Sequence, residues 1–168
     1  MISLRAAETD SDLAAVRTLC WAYRDQLAAL SAIEWDLMET FYPAPKYRVL
    51  MDALATEHAR PSGIILLASD GDTPVGCAMS HALDGDTCEM KRVFVTPAAR
   101  GKGVARQLCT AVMAQARTDG FTRVLLDTSA NLTAARALYT QLGFAERGPY
   151  QPVPDFALPH LVFFEARL

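Results

Sequence analysis

The stretch "VFVTPAARGKGVARQL", Val93 to Leu108, decides how this chain is read. An apolar run breaks at Pro97, passes through Gly101 and Gly103, and resumes at helical spacing. A strand that ends in a Gly-rich turn and opens a helix presents unpaired amides at the positive end of the helix dipole. Such a turn is an anion site. Gly101 and Gly103 remove side chains that would hold a phosphate off the backbone, while Arg100, Lys102 and Arg106 add positive charge. The same residues also suit a surface turn whose glycines only shape the chain, so spacing has to discriminate. A P-loop fails because Gly-Lys is followed by Gly103, which has no hydroxyl for magnesium. A dinucleotide-binding turn fails because its third glycine would fall at Arg106.

The elements follow outward from that turn. Leu108, Val112 and Ala116 recur at spacings of four, predicting a helix over Val104 to Asp119 that stops at Gly120. Upstream, "GIILLAS", "VGCAMSHAL" and "TCEMKRVFV" are apolar runs separated by Asp-Gly turns, the pattern of an antiparallel meander. Downstream, "RVLLDTS" reads as a buried strand, "NLTAARALYTQLG" as a helix stopped by Gly143, "FAER" as a short strand and "HLVFFEARL" as a closing strand. At the start, "ISLRAA" alternates as a strand, and Asp10 is placed to cap a helix carrying Leu13, Val16, Cys20, Tyr23 and Leu27. "EWDLMETFY" predicts a second helix ending at Pro43, and a further helical piece runs from Lys46 to His58. The expected class is α/β, a mixed (α+β) sheet of about seven strands, mostly antiparallel and twisted, with helices on both faces. Strand, helix and strand over 87 to 127 form a parallel crossover in it.

Composition bounds the function. The chain has 168 residues, 51% of them hydrophobic, as one compact domain over 1–168 requires. A net charge of -3 with no basic run argues against nucleic acid as a partner. No segment has the apolar length of a membrane span and the N-terminus lacks a signal pattern, so no membrane partner and a cytoplasmic location are expected. Cys20, Cys77, Cys88 and Cys109 are scattered without a C-x-x-C pair, so neither a disulfide framework nor a metal site is expected.

The segment Arg100, Gly103, Ala105 matches Arg/Gln-x-x-Gly-x-Gly/Ala after a strand ending "VFV", and "NLTAARALYTQLGF" places Asn131 at a helix start and Tyr139 before Gly-Phe. In these residues the chain resembles the GNAT superfamily of N-acetyltransferases, most specifically over Glu89 to Phe144. The resemblance covers nearly the whole order of elements and implies a GNAT-like fold with a parallel splay at the cofactor site. It implies acetyl-CoA as cosubstrate. The pyrophosphate would lie on Gly101, Lys102, Gly103, Val104, Ala105 and Arg106 with Arg100 beside it, and the pantetheine amides would pair with Val93, Phe94 and Val95 as with another strand. Asn131 either bonds the pantetheine arm or only caps its helix.

Transfer of acetyl to an amine needs a neutral amine, a polarised carbonyl and a proton for the departing thiolate. The resemblance points to the backbone amide of Phe94 or a neighbour for the carbonyl, and to Tyr139 for the proton. Tyr139 also suits a plain core position beside Leu132, Leu138 and Leu142. Strand alternation puts Glu89, Lys91, Val93 and Val95 on one face and Met90, Arg92 and Phe94 on the other. Glu89 is the candidate base, directly or through water. An ion pair with Lys91 or Arg92 is its other reading, and a chain of waters is the other source of a base. Cys88 lies on the opposite face, and His58, His81 and His160 stand isolated. The Pro-rich loop "GPYQPVPDFALPH" borders the acceptor site in the family, so Tyr150 and Phe156 shape specificity, pack the last strand or form a homodimer contact. The expected activity is acetyl transfer to a primary amine of a small molecule or peptide by direct attack in a ternary complex. A non-catalytic CoA-binding module on the same fold is the alternative, and a longer acyl donor is also open. The acceptor is open among aminoglycosides, polyamines, amino acids and peptide N-termini.

Overall fold

The computed structural model describes residues 1–168. The chain runs β1 (Ile2–Ala6), α1 (Asp10–Ala28), α2 (Ala32–Phe41), α3 (Ala44–Asp52), α4 (Leu54–Glu57), β2 (Gly63–Asp70), β3 (Thr73–Ala82) and β4 (Thr87–Val95). It continues through α5 (Val104–Thr118), β5 (Arg123–Ser129), α6 (Thr133–Gln141), β6 (Ala145–Arg147) and β7 (Leu161–Arg167). The seven strands form one sheet in the order β1-β2-β3-β4-β5-β7-β6, in which only β4 and β5 are parallel. The expected mixed sheet and its meander are therefore present. The single helical piece expected from Lys46 to His58 is instead α3 and α4, broken at Ala53.

Two core layers sandwich the sheet. On one face Leu108, Val112 and Ala116 of α5 meet Leu66, Ala78, Met90 and Phe164. On the other, Val16 and Cys20 of α1 with Tyr47 and Met51 of α3 meet Leu67, Met79 and Phe94. The period of two in β2 feeds both layers, Ile64 and Leu66 to one and Ile65 and Leu67 to the other, which is why that strand reads as a continuous apolar run. At the start of α1 the cap is Thr9, not Asp10. The Thr9 hydroxyl accepts from the Asp12 amide and the Asp12 carboxylate accepts from the Thr9 amide, satisfying two end groups at once.

Strand β4 breaks its own alternation. Arg92 has φ of 52°, the one positive value outside glycine, and the register with β3 shifts between Cys77 and Met79. This is a bulge: an extra residue turns every later side chain to the opposite face. Val93 and Val95 consequently join Met90 on the α5 side, Phe94 joins the α1 side, and Glu89 and Lys91 no longer share a face with Val93 and Val95. Gly76 lets β3 come close here, since a Cβ on it would sit 2.8 Å from the Phe94 carbonyl oxygen.

Candidate active site

The two parallel strands pair only over Thr87–Glu89 against Arg123–Leu125. Beyond Glu89 they separate, and the second half of β4 loses its neighbour on that side. The turn that follows β4 puts Gly101 at φ 77° and Gly103 at φ 75°, left-handed conformations that side chains resist. A Cβ on Gly101 would meet no protein atom within 4 Å, so the space above the turn is open as well. The first backbone bond into α5 runs from the Gln107 amide to the Gly103 carbonyl, 3.1 Å, leaving the amides from Gly101 to Arg106 without a carbonyl partner. Such a row of free donors at a helix start holds an anion.

A cavity of about 550 Å³ runs from this turn along β4 to α6. Val93, Phe94 and Val95 line its strand side; Arg100, Gly101, Gly103, Val104, Ala105 and Arg106 line the turn; Asn131 and Tyr139 line the far wall. Of the residues expected to hold the cofactor, Lys102 is the exception. Its ammonium turns away to Asp70 at 2.9 Å, so only its backbone belongs to the turn. The Arg100 guanidinium bonds Gln26 at 2.8 Å and that of Arg106 bonds Gln141, both uncharged partners that leave the cations uncompensated. Asn131 does not cap α6, whose first flanking residue is Leu132; its side-chain amide donates to Glu34 at 3.2 Å.

A second cavity of about 130 Å³ lies between β4, β5 and the first two helices. The two share Tyr23, Leu27, Val93, Thr128, Leu132 and Tyr139, so they join end to end. Tyr139 stands at the junction. Its ring packs between Phe144 and Phe164, each with centroids 5.8 Å away, and burial holds its pKa well above the ordinary phenol value. The hydroxyl stays protonated at neutral pH, the form a proton donor needs.

Glu89 lines neither cavity. Its carboxylate takes three partners: His81 Nε2 at 2.9 Å, Lys91 Nζ at 3.0 Å and the Tyr150 hydroxyl at 2.5 Å. Burial alone would raise its pKa, but the His81 hydrogen bond, the Lys91 charge and the Tyr150 hydroxyl prevail and hold it at about 2. A carboxylate this acidic is a weak base, and the ion-pair reading of Glu89 describes what the structure contains. His58 and His81, isolated in sequence, meet edge to face with centroids 5.5 Å apart, and burial lowers His58 to about 4 while its Nδ1 bonds the Ser80 carbonyl. Tyr150 packs on Phe163 and ties the late loop to Glu89, whereas Phe156 is exposed.

The carboxylates that do reach the second cavity are Asp127 and Glu34. Asp127 follows the point where β5 leaves β4, and burial raises its pKa against the opposing pull of Lys91. Its single side-chain partner is Gln151 Nε2 at 3.2 Å. Glu34, fully buried, accepts from the Ser129 hydroxyl and Asn131. Local sequence gave no signal for this pair, since Glu34 and Asp127 meet only through the fold; the single hint was Asp127 inside an otherwise apolar strand.

An α/β fold with a coenzyme-sized groove at a splayed pair of strands is the class these features define. The model of the acetyltransferase (GNAT) family matches residues 27–144, and the chain belongs to that family. It is similar to the IAA acetyltransferase of Azospirillum brasilense, 38% identical over 112 residues, 66% of this chain and 71% of the relative. It is also similar to YjgM of Escherichia coli K12, an uncharacterized N-acetyltransferase, 45% identical over 69 residues that make up 41% of each chain. Among solved structures it resembles the PaiA N-acetyltransferase of Thermoplasma acidophilum in complex with coenzyme A, with TM-score 0.71 over 100% of this chain and 99% of the other. At 13% identity that likeness is one of fold.

Proposed function

We propose that the protein transfers an acetyl group from acetyl-CoA to a primary amine, both bound at once in the two joined cavities. The observation that carries this reading is their meeting at Tyr139, one cavity ending on the anion-binding turn and the other on Asp127. The free amides of Gly101 to Arg106, with Arg100 and Arg106, take the pyrophosphate, and the unpaired part of β4 takes the pantetheine. The amide of Phe94 or a neighbour polarises the thioester carbonyl. Asp127 replaces Glu89 as the residue that faces the amine: it binds the ammonium form and takes one proton from it, so that the neutral amine attacks. The new N–C bond forms as the C–S bond breaks, Tyr139 gives its proton to the thiolate, and the proton that the nitrogen loses on becoming an amide restores the phenol. Family membership and the names of the similar proteins support acetyl transfer; a module that only binds coenzyme A would have no use for a second cavity ending on a carboxylate.

Calorimetric titration with acetyl-CoA tests the first half. The parent should bind in the micromolar range and Gly103→Trp, which fills the turn, should not. Release of free thiol on adding amines tests the second half. A folded parent that binds no acetyl-CoA refutes the proposal.

A further inference from the structure

The second cavity contains three cations and two carboxylates, and their pairing is uneven. Arg24 is satisfied by Glu39 at 2.8 Å and by the Tyr42 carbonyl, and Lys91 is satisfied by Glu89. Arg92 has no carboxylate within ion-pair reach. Its guanidinium lies 5.8 Å from the Tyr47 ring centre and 6.0 Å from that of Tyr42, with one terminal nitrogen 3.7 Å from the Met79 sulfur. Aromatic faces attract a cation but leave its planar fork of donors free in the plane. Arg92 is also the residue held at φ 52° in the bulge, a conformation unfavourable for a side chain with a Cβ that persists where the surroundings enforce it. The bulge is what brings Arg92 into the cavity wall beside Lys91 instead of on the opposite face.

We propose that Arg92 is a carboxylate-binding residue and that the acceptor is an amino acid with an apolar side chain, its carboxylate on Arg92 and its amine toward Asp127. The inference rests on the acetyltransferase reading and names its acceptor class. Charge supports it, since Arg92, Asp127 and Glu34 form no ion pair, Lys91 near Asp127 being engaged by Glu89, and a zwitterion supplies a partner for both signs. The guanidinium fork binds a carboxylate through two parallel hydrogen bonds, which a neutral amide cannot reproduce. Leu37, Met38, Phe41 and Leu132 give the wall an apolar side, beside the polar Thr128, Ser129 and Gln151, and suit an apolar side chain over a polycationic one.

The test is acetyl-CoA-dependent thiol release with L-leucine, L-methionine and L-phenylalanine, each beside its carboxamide and its decarboxylated amine. For the parent, kcat/KM for at least one acid should exceed that of both analogues by about 100-fold, as for a site built to bond a group the analogue lacks. The carboxamide has the less basic amine, so this preference runs against intrinsic reactivity. In Arg92→Gln and Arg92→Gly the preference should fall to within about threefold, mainly through KM, the mark of lost ground-state binding. Glycine accepts the positive φ, so that variant keeps the backbone. Equal rates for acid and analogues in the parent, or a preference that survives both variants, would overturn the proposal while leaving acetyl transfer intact. Thermal shift by the same acids in the presence of coenzyme A gives a readout without turnover. A shift in the parent that both variants lose supports the carboxylate site even if acetyl transfer fails, and no shift in a parent that binds acetyl-CoA overturns it.

Discussion

Replacing Glu89 with glutamine should remove a pH-dependent part of the stability, and the structure sets its size. Three donors hold the carboxylate at about 2 against an ordinary value of 4.5, and its side chain is only 4% exposed, so solvent screens little of the effect. At about 1.4 kcal/mol per pH unit, this corresponds to about 3 kcal/mol. Because the folded-state pKa is depressed, the contribution is fully present above about pH 4.5 and disappears as pH falls toward 2. Asp12 and Asp70 are also depressed, to about 2, and lose their pairs in the same range in both proteins. His58 acts in a different window: burial lowers it from 6.5 to about 4, so its penalty on the folded state grows as pH falls between those values, again in both proteins. Urea unfolding followed by tryptophan fluorescence across this pH range isolates Glu89 as the difference between parent and Glu89→Gln. The difference should be near 3 kcal/mol at neutral pH and shrink toward zero at about pH 2. A difference that stays constant with pH would mean that the His81, Lys91 and Tyr150 contacts do not hold the charge, and the reasoning fails.

Tyr139→Phe should lower kcat by about 100-fold while leaving acetyl-CoA affinity unchanged in calorimetry, since only a proton donor is lost. Asp127→Asn should abolish the acid limb of the kcat/KM pH profile, which in the parent lies above the ordinary carboxylate value of 3.8 because burial raises Asp127; a limb that survives points to water or another group as the base. Leu108→Ala, at a fully buried position of α5 under the sheet, should cost about 3 kcal/mol in denaturant unfolding.

Much of the fold was legible because its punctuation is local. Gly120 and Gly143, both at φ 92°, end α5 and α6 where a left-handed residue is needed, and the sequence marks them with the residue type that adopts it. The Asp-Gly turns marked the meander, Gly71 at φ 59° in the first of them by the same means. Gly101 and Gly103 announced the anion-binding turn, because free amides and small residues at a helix start are a matter of neighbours in the chain. The second cavity offered no such mark. Its acids, Glu34 and Asp127, come from α2 and β5, and its tyrosines from α1, the α2–α3 link, α3 and α6, so no spacing rule connects them. The pairing of His81 with Glu89 across β3 and β4 depends on the register set by the turn between those strands, which apolar alternation alone does not fix.

That bulge is the point on which sequence reasoning turned wrong and on which the site depends. "TCEMKRVFV" alternates well enough to predict one regular strand, and arginine carries no signature of a left-handed residue. Yet a regular strand would leave Glu89 facing the same side as Val93 and Val95, putting an anion beside the backbone that is to receive the cofactor. With Arg92 at φ 52°, the strand divides into two functions. Its first half pairs with β5 and sends Glu89 into a closed ion cluster, and its second half parts from β5 and turns Val93 and Val95 toward α5. The residue that absorbs the turn is left lining the second cavity, with no carboxylate in ion-pair reach. One strained residue therefore separates the structural carboxylate from the groove and sets a cation in the wall of the second cavity.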